Sequence, residues 1–473
     1  MLRMNLLQLA LASRCATQNI SFDTFLQTNR LLMFPPERDM RYKALRAAAI
    51  SEQHQMNPFL LACMRDLSQI CKTHGVRHAF LKGLGVSYEV YDPPASRLSR
   101  DVDILIHISD AERFLSLLLQ SGFHYKEGGN VLDLDPMMRI RNGHHHLRAI
   151  YKEVEIHGKV ISVALEIHVF PFECSYEFLG HAHRDDDYTA EILDRARPIT
   201  IGDEVFSVPS PTDHLYIMVM HMISHQCLDT ILYLFVKKPF KHQNVTMNLV
   251  DIALFADKHK GSIQPDLLCN VSARHGNNHP LQYILRLIEW LFPGVDFGFP
   301  PIPCDQLPGT PLAQVCHLFQ QIPPEDYLFS SKLKESLDSL VRSSISKKTD
   351  CTPDGFEIIK HNDSLSITAD NLCPGSLYSI NMYSPESLSD CNEYILQISE
   401  DKATLSKDDG YRFLWDPATF GICRENELSR CYYKIGSFPL SDRLTFTIPV
   451  GINFRVHIQS IRQVNPFTSK EFI

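Results

Sequence analysis

The chain has 473 residues, of which 44% are hydrophobic and 21% charged, an ordinary balance for a globular protein of about three domains. Its formal net charge of −9 argues against a broad nucleic-acid surface, because duplex binding relies on clustered Lys and Arg. The 13 cysteines include no C-x-x-C pair, which excludes a zinc ribbon or a C-x-x-C redox motif and favours a reducing compartment. No apolar run reaches the length of about 20 residues that spans a membrane, so the sequence predicts a cytoplasmic protein with no membrane partner.

Helices dominate the first 75 residues, where apolar side chains recur at helical spacing from Leu60 to Ile70 before His74-Gly75 ends the pattern. The elements predicted next are a strand from Val76 to Leu81, a turn from Lys82 to Gly85, a short helix from Val86 to Tyr91, a strand from Asp101 to Ile108 and a helix ending near Leu119. This alternation predicts a sheet that begins after the helical segment.

Strands and then helices continue the pattern. The predicted strands are Gly122 to Tyr125, His144 to Tyr151 and Lys159 to Phe170. The predicted helices are His214 to His225, Met247 to His259, Pro280 to Phe292 and Leu312 to Gln320. The fold class predicted for residues 1–340 is therefore α+β, with a small mixed sheet inside a helical frame.

A stretch rich in Ser, Lys, Thr and Pro from Ser343 to Gly355 predicts a linker. Beyond it, short segments such as Leu444 to Ile448 alternate at period two between turn-rich pieces, which predicts a C-terminal antiparallel β-sandwich. We predict four parts: a helical segment over residues 1–75, a catalytic core over 76–210, a helical domain over 211–342 and the β-sandwich over 354–473.

Two carboxylates, Asp101 and Asp103, lie in the apolar run of one predicted strand. Side chains alternate along a strand, so both carboxylates project from the same face. Two neighbouring anions on a rigid strand are costly unless a cation neutralises them. Because Mg²⁺ commonly binds one or two carboxylates together with substrate phosphates, this pair predicts metal-assisted chemistry on a nucleoside triphosphate.

Other residues fit the same chemistry. Glu166 is the candidate third carboxylate, because an unpaired carboxylate in its apolar strand is unfavourable. His168 follows two residues later and shares that face. Lys82-Gly83 lies at a strand-to-helix turn, where a lysine and exposed amides can bind phosphate, and Arg97 precedes the acidic pair.

Three pieces of this sequence carry a family resemblance: Leu81-Lys-Gly83, then Arg97 four residues before Asp101-Val-Asp103, and then Leu165-Glu-Ile-His168. In order and spacing they resemble the uncharacterised nucleotidyltransferase family within the polymerase-β-like superfamily. The usual Gly-Ser turn of that superfamily is replaced here by Lys-Gly. The resemblance implies a polymerase-β-like core that transfers a nucleoside monophosphate from a triphosphate such as ATP and releases pyrophosphate with the help of Mg²⁺ or Mn²⁺.

The resemblance also implies roles for individual residues. Asp101, Asp103 and Glu166 would be the catalytic metal ligands. The predicted nucleotide-binding residues are Lys82, Gly83, Arg97, Ser99 and His168. The acceptor stays open between a protein, a sugar and a small molecule, and the acidic balance makes an RNA end a weaker candidate.

Two alternatives remain at this point. An Asp-x-Asp pair also occurs in glycosyltransferases, where it binds the diphosphate of a nucleotide-sugar through Mn²⁺. The chain could instead be a non-catalytic binding protein that acts through its β-sandwich, although aromatic residues such as Trp415 are more simply explained as sandwich core.

The remaining motifs have simpler interpretations. His144-His-His146 could reach the metal site or could line a solvated strand edge. For His214, His221 and His225 we favour core packing over metal binding, because no Glu follows His221 as a zinc-protease motif requires. Asp185 to Asp187 is interpreted as a charged loop.

Overall fold

In the computed structural model, side chains are described mainly within the first 303 residues. The described backbone covers residues 2–17, 19–28, 31–34, 40–125, 145–172, 185–236 and 245–303, positions 322, 324, 335 and 336, and the strands of the C-terminal region. The predicted helix from Leu312 to Gln320, the position of His144 and the side chain of His225 lie outside the described residues.

Helices make up most of the described part of the first 303 residues. They are α1 Leu2–Thr17, α2 Phe22–Thr28, α3 Met40–His74, α4 Gly83–Val90, α5 Ala111–Gln120, α6 Asp186–Asp194, α7 Pro211–Val236, α8 Val245–His259, α9 Pro265–Arg274 and α10 Asn278–Leu291. The amphipathic α5 shows why they form, because it buries Ala111, Phe114, Leu115 and Leu118 along one face. No described helix combines the length and the apolar character needed to cross a bilayer.

A four-stranded mixed sheet occupies the centre of the described structure. It consists of β1 His78–Leu81, β2 Asp101–Ile106, β3 Ile150–Ile156 and β4 Lys159–His168, in the order β1-β2-β4-β3. The central strands β2 and β4 run parallel, while β1 and β3 pair antiparallel with them. The predicted small mixed sheet with helices is therefore confirmed.

The side chains of β2 alternate between two hydrophobic clusters. Val102, Ile104 and Ile106 belong to the cluster that contains residues of α3 and α5. Leu105 belongs to the other cluster, which contains the buried residues of α7, α8 and α10. Because alternate residues of a strand share a face, Asp101 and Asp103 lie on the side of Leu105. The acidic pair therefore faces the helices that follow residue 211.

A hairpin that was not predicted from the sequence lies before α7. Its strands are β5 Arg197–Ile201 and β6 Glu204–Val208, which pair antiparallel across Gly202-Asp203. Gly202 has a φ of +61°, which glycine adopts at little cost in a two-residue turn. Phe206 packs into the cluster of α3 and α5, so the hairpin extends that core.

The interpretation of Asp185 to Asp187 as a charged loop is wrong. Asp185 is the N-cap of α6, and its side chain accepts a hydrogen bond of 2.9 Å from the amide of Tyr188. It also forms an ion pair with Arg274 of α9, a helix that the sequence analysis did not predict. Negative charge at this helix start is stabilising, because the helix dipole is positive there.

The strand predicted from His144 to Tyr151 begins later than expected. β3 begins at Ile150, and His146 makes only an isolated bridge with His168 of β4. This leaves the side chain of His146 beside the end of β4 rather than within a continuous ladder.

Beyond residue 355 the structure describes backbone strands. They are β7 Phe356–Lys360, β8 Ser364–Ala369, β9 Leu377–Ser384, β10 Tyr394–Ile398, β11 Asp401–Leu405, β12 Tyr411–Arg412, β13 Thr419–Glu427, β14 Arg430–Ser437, β15 Leu444–Pro449 and β16 His457–Val464. They pair antiparallel in sheets of order β12-β13-β14-β9-β16, β15-β8-β7 and β10-β11. The packing of these sheets into a sandwich and the predicted domain boundaries stay predictions.

His214 of α7 is packed in the core, as predicted. The residue is fully buried, its ring lies 4.9 Å from the ring of Phe255, and neither ring nitrogen finds a hydrogen-bond partner among the described residues. Burial lowers the pKa of His214 to about 3, an effect to which the charge of Arg197 adds. The fold therefore holds this imidazole neutral.

We expect this buried histidine to make the protein less stable in mild acid. A depressed histidine pKa means that only the unfolded chain binds the proton as the pH falls below about 6.5. Stability is thus fully present above that pH and decreases below it. Between pH 7.5 and 5.5 the contribution of His214 amounts to about 1.4 kcal/mol.

The measurement is the free energy of unfolding of the wild-type chain and of His214→Leu at both pH values. We expect the variant to lose about 1.4 kcal/mol less than the wild type across this interval. Because the other histidines titrate in both proteins, the difference isolates this site. Equal losses would contradict a neutral, buried His214.

Candidate active site

Two parallel strands bring the predicted carboxylates together. Asp103 of β2 lies opposite Glu166 of β4 in the register, and Asp101 lies opposite Ala164. The side chain of Asp103 is buried, whereas that of Glu166 is 34% exposed. The parallel register therefore places one carboxylate from each strand side by side at a partly open edge.

His168 completes this cluster. Its Nε2 lies 2.9 Å from Oδ1 of Asp103 and 3.7 Å from Oε2 of Glu166. Among the described residues, these three side chains form the group whose ligand atoms all lie within 4.8 Å of one another. Although burial favours a neutral ring, Asp103 and Glu166 raise the pKa of His168.

Asp101 contributes to the electrostatics of the same site. Burial, together with the negative charges of Asp103 and Glu166, raises the pKa of Asp101 to about 6. For Glu166, burial also opposes ionisation, but the interaction with His168 and the positive charges of His146 and Lys82 lower its pKa. The pKa values of these two carboxylates are therefore shifted in opposite directions, although the residues lie on neighbouring strands.

The turn between β1 and α4 faces this cluster. Lys82 has a φ of +42°, which non-glycine residues rarely adopt, and its Nζ lies 3.7 Å from Oδ1 of Asp103 and 3.3 Å from Nδ1 of His221. Gly83 begins α4 with a φ of +45°, and a Cβ there would lie 3.8 Å from the backbone oxygen of Asp101. A lysine and a helix N-terminus thus meet the carboxylates, an arrangement suited to phosphate.

Arg97 supports this turn. The guanidinium forms an ion pair with Asp251 of α8 through Nη2 and Oδ2, at 2.9 Å, and its Nη1 donates to the carbonyl oxygen of Gly83 at 3.3 Å. The hydroxyl of Tyr91 donates to the other oxygen of Asp251. Burial opposes the charge on Arg97, but Asp251 outweighs it and raises the pKa of Arg97. The contact of Arg97 with a triphosphate stays a prediction, because the nitrogens of its guanidinium group already bind protein atoms.

Ser99 lies in a hydrogen-bonded segment directly before β2. Its Oγ accepts from Nη1 of Arg97 at 2.9 Å. Its backbone amide and carbonyl bind Oε1 and Nε2 of Gln53 on α3, at 3.1 and 3.0 Å. These bonds fix the chain that leads into Asp101. The predicted role of Ser99 in nucleotide binding stays a prediction.

The structure adds residues that the sequence analysis did not select. His221 of α7 contacts Lys82, Asp251 holds Arg97, and Gln53 clamps the backbone of Ser99. The signal for Asp251 was present, because a carboxylate inside the apolar run Leu249 to Phe255 requires a buried partner. For His221 the sequence favoured core packing, whereas the structure places it half-buried beside Lys82. Gln53 carried no comparable signal.

Sequence comparison identifies the family of the chain. The profile of a family described as uncharacterised nucleotidyltransferase matches residues 28–293, which is more than half of the chain. The chain belongs to this uncharacterised nucleotidyltransferase family. The matched region contains Lys82, Asp101, Asp103, Glu166 and His168.

The chain is similar to an antigenic nucleotidyltransferase-like protein from Paracoccidioides brasiliensis, with 15% identity, coverage of 42% of this chain and 76% of that chain, and a TM-score of 0.26. No curated protein matches the chain.

Nucleotidyltransferases generally use divalent metals, and the donor set of this site fits one. Asp103 and Glu166 offer carboxylate oxygens beside the imidazole nitrogen of His168. Such donors are those that divalent cations prefer in proteins. Burial, and after it the negative charges of Asp103 and Glu166, raises the pKa of Asp101, and a bound cation would offset the repulsion among these carboxylates.

Proposed function

We propose that the protein is a metal-dependent nucleotidyltransferase that moves a nucleoside monophosphate from a triphosphate, with ATP as the first candidate, to an acceptor and releases pyrophosphate. The observation that carries the proposal is the juxtaposition of Asp103 and Glu166 across parallel strands, with Lys82 3.7 Å from Asp103. Family membership supports the transfer chemistry. We further propose that the sheet with its helices is a polymerase-β-like core and that the protein works in the cytoplasm.

The acidic side chains would hold the cations, Mg²⁺ or Mn²⁺. Asp101 and Asp103 project from one face of β2, and Glu166 reaches the same place from β4. When bound, the cations would stabilise charge on the attacking oxygen, the transferred phosphate and the leaving pyrophosphate. The strands keep the carboxylates in place before substrate binds, so little reorganisation is required.

The Lys82-Gly83 turn would bind the triphosphate. Lys82 supplies a positive charge, and the first amides of α4 point toward the N-terminal end of that helix, where anions are favoured. Arg97 and Ser99 would support the turn from the side of the protein, because Arg97 donates to the carbonyl of Gly83 and to the hydroxyl of Ser99. The turn is therefore fixed by the segment that also leads into Asp101.

The net charge of the chain limits the choice of acceptor. The net charge of −9 disfavours a long nucleic acid, which leaves a protein hydroxyl, a sugar or a small metabolite ahead of an RNA end. The C-terminal strands would form the predicted β-sandwich and would present or select this acceptor.

Thermal unfolding of the full chain with each nucleoside triphosphate tests the proposal. With a divalent cation, one triphosphate at 100 times its dissociation constant should stabilise the protein by about 2.7 kcal/mol. We expect this shift to depend on Mg²⁺ or Mn²⁺ and to disappear in Asp101→Asn. The matched control is Asp203→Asn, because Asp203 is exposed in the β5–β6 turn and should leave the shift unchanged.

Three results would contradict the proposal. An undiminished shift in Asp101→Asn would remove that carboxylate from the site. Stabilisation by nucleoside diphosphates and Mn²⁺, without a triphosphate effect, would favour the nucleotide-sugar glycosyltransferase. The absence of any nucleotide effect would favour a binding protein that works through its C-terminal strands.

A further inference from the structure

The nitrogen of His168 lies where a metal donor would lie. The residue is 1% exposed, and its Nε2 faces both carboxylates rather than solvent. His168 follows Glu166 by two residues on β4, so the strand directs both side chains to the same face. The imidazole is thus fixed by the backbone and not by a flexible loop.

The donor separations agree with ligation of a single ion. Donors about 2.0–2.2 Å from one cation, in tetrahedral or octahedral geometry, lie roughly 2.8–3.6 Å apart. The separations of Nε2 of His168 from Asp103 and Glu166 are 2.9 and 3.7 Å. Both separations are close to that range, and all three donor atoms lie within 4.8 Å of one another.

The two ring nitrogens of His168 differ in their polar contacts. Nδ1 of His168 has no hydrogen-bond partner among the described residues, so the polar interactions of the ring run through Nε2. In the metal-free protein Nε2 donates to Asp103. A cation would take the place of the Nε2 proton, and the neutral ring would then carry its single proton on Nδ1.

A second imidazole lies close by. The ring centroid of His146 is 5.4 Å from that of His168, and Nδ1 of His146 interacts with the carbonyl oxygen of Leu147 at 2.6 Å. His146 is therefore the second imidazole near enough to be compared with His168 as a nitrogen donor. The metal edge of the sheet is therefore rich in nitrogen as well as oxygen.

We infer that the cation between Asp103 and Glu166 is also bound by Nε2 of His168, so that this position selects a first-row transition ion over Mg²⁺. Mg²⁺ favours oxygen donors and waters, whereas imidazole raises affinity along the series from Mn²⁺ to Zn²⁺. The inference rests on the proposed function in that it concerns the same metal position. It goes further by naming the nitrogen donor and the class of ion.

Manganese binding to the full chain without nucleotide tests the inference. Mn²⁺ is titrated by electron paramagnetic resonance, and nitrogen coupling is measured by electron spin echo envelope modulation. We expect coupling from one directly bound imidazole nitrogen and an affinity for Mn²⁺ about tenfold or more above that for Mg²⁺. A manganese signal without nitrogen coupling in the wild-type protein would overturn the inference, whatever the behaviour of any variant.

Three variants identify the nitrogen. His168→Gln keeps an N–H donor for Asp103 but has no lone-pair nitrogen, so coupling and the preference for Mn²⁺ should both be lost. His54→Gln, on the exposed side of α3, is the matched control and should behave as the wild type. Coupling that survives in His168→Gln but disappears in His146→Gln would assign the nitrogen to His146 and overturn the inference.

The two proposals fail in different ways. Nitrogen-coupled manganese with no effect of any triphosphate would overturn the proposed function and leave the metal assignment intact. Triphosphate binding with Mg²⁺ and no nitrogen coupling would do the opposite.

Discussion

Asp103→Asn should reduce pyrophosphate release from the stabilising triphosphate by about 10³-fold or more. Asp103 is the carboxylate that contacts both Lys82 and His168 and lies opposite Glu166. An amide of the same shape is a poor ligand for a divalent cation, and a metal contributes several kcal/mol of charge stabilisation. Each 1.4 kcal/mol corresponds to about tenfold in rate, so the loss of one shared ligand is expected to be severe.

The fold should survive this change. Burial and then the charge of Asp103 raise the pKa of Asp101, so removal of that charge relieves repulsion while the amide still accepts from His168. Pyrophosphate release with water as the minimal acceptor is measured beside thermal stability, with Asp203→Asn as the control. Turnover within tenfold of the wild type in a folded Asp103→Asn protein would exclude Asp103 as a metal ligand.

The faces of the central strands could be predicted from the sequence because they depend on local geometry. Alternation along β2 and β4 puts Asp101 with Asp103, and Glu166 with His168. The register that sets Asp103 against Glu166 could not be predicted in the same way, because it depends on the packing of both strands against two separate cores. The members of the cluster could thus be predicted from the sequence, but the distances between their ligand atoms could not.

The secondary-structure prediction was wrong where local sequence signals were weak or conflicted. The hairpin β5–β6 contains Pro198 in its first strand, and proline normally argues against a strand. Yet Gly202-Asp203 is a recognised two-residue turn signal, and a hairpin forms across it. Similarly, Asp185 to Asp187 carried only charge as a signal, while the cap that Asp185 provides to α6 depends on the apolar face that follows it.

Long-range partners were the hardest to predict. His221 and Asp251 lie on helices that are apolar on nearly every side, so periodicity gives no inward face for a functional residue. Asp251 could have been recognised as requiring a cation, but the choice of Arg97 depends on how α8 packs beside α4. These two residues connect the helical part of the chain to the Lys82-Gly83 turn.

Asp251→Ala should destabilise the protein by about 3–5 kcal/mol, the cost of leaving one member of a buried ion pair unpaired. The side chains of Arg97 and Asp251 are 10% and 3% exposed, so water cannot replace the lost carboxylate. The hydroxyl of Tyr91 would lose its acceptor as well. Urea unfolding of both proteins at pH 7.5 gives the free-energy difference.

Two further variants separate this buried network from ordinary surface pairing. Asp194→Ala removes the partner of Arg77 in a pair whose side chains are both more than half exposed, and it should cost less than about 1 kcal/mol. Replacing both buried partners, as Asp251→Ala with Arg97→Met, should recover part of the loss, because no buried charge is then left alone. If Asp251→Ala were as mild as Asp194→Ala, the Arg97 guanidinium would have another buried acceptor or access to water. The Lys82-Gly83 turn would then not depend on α8.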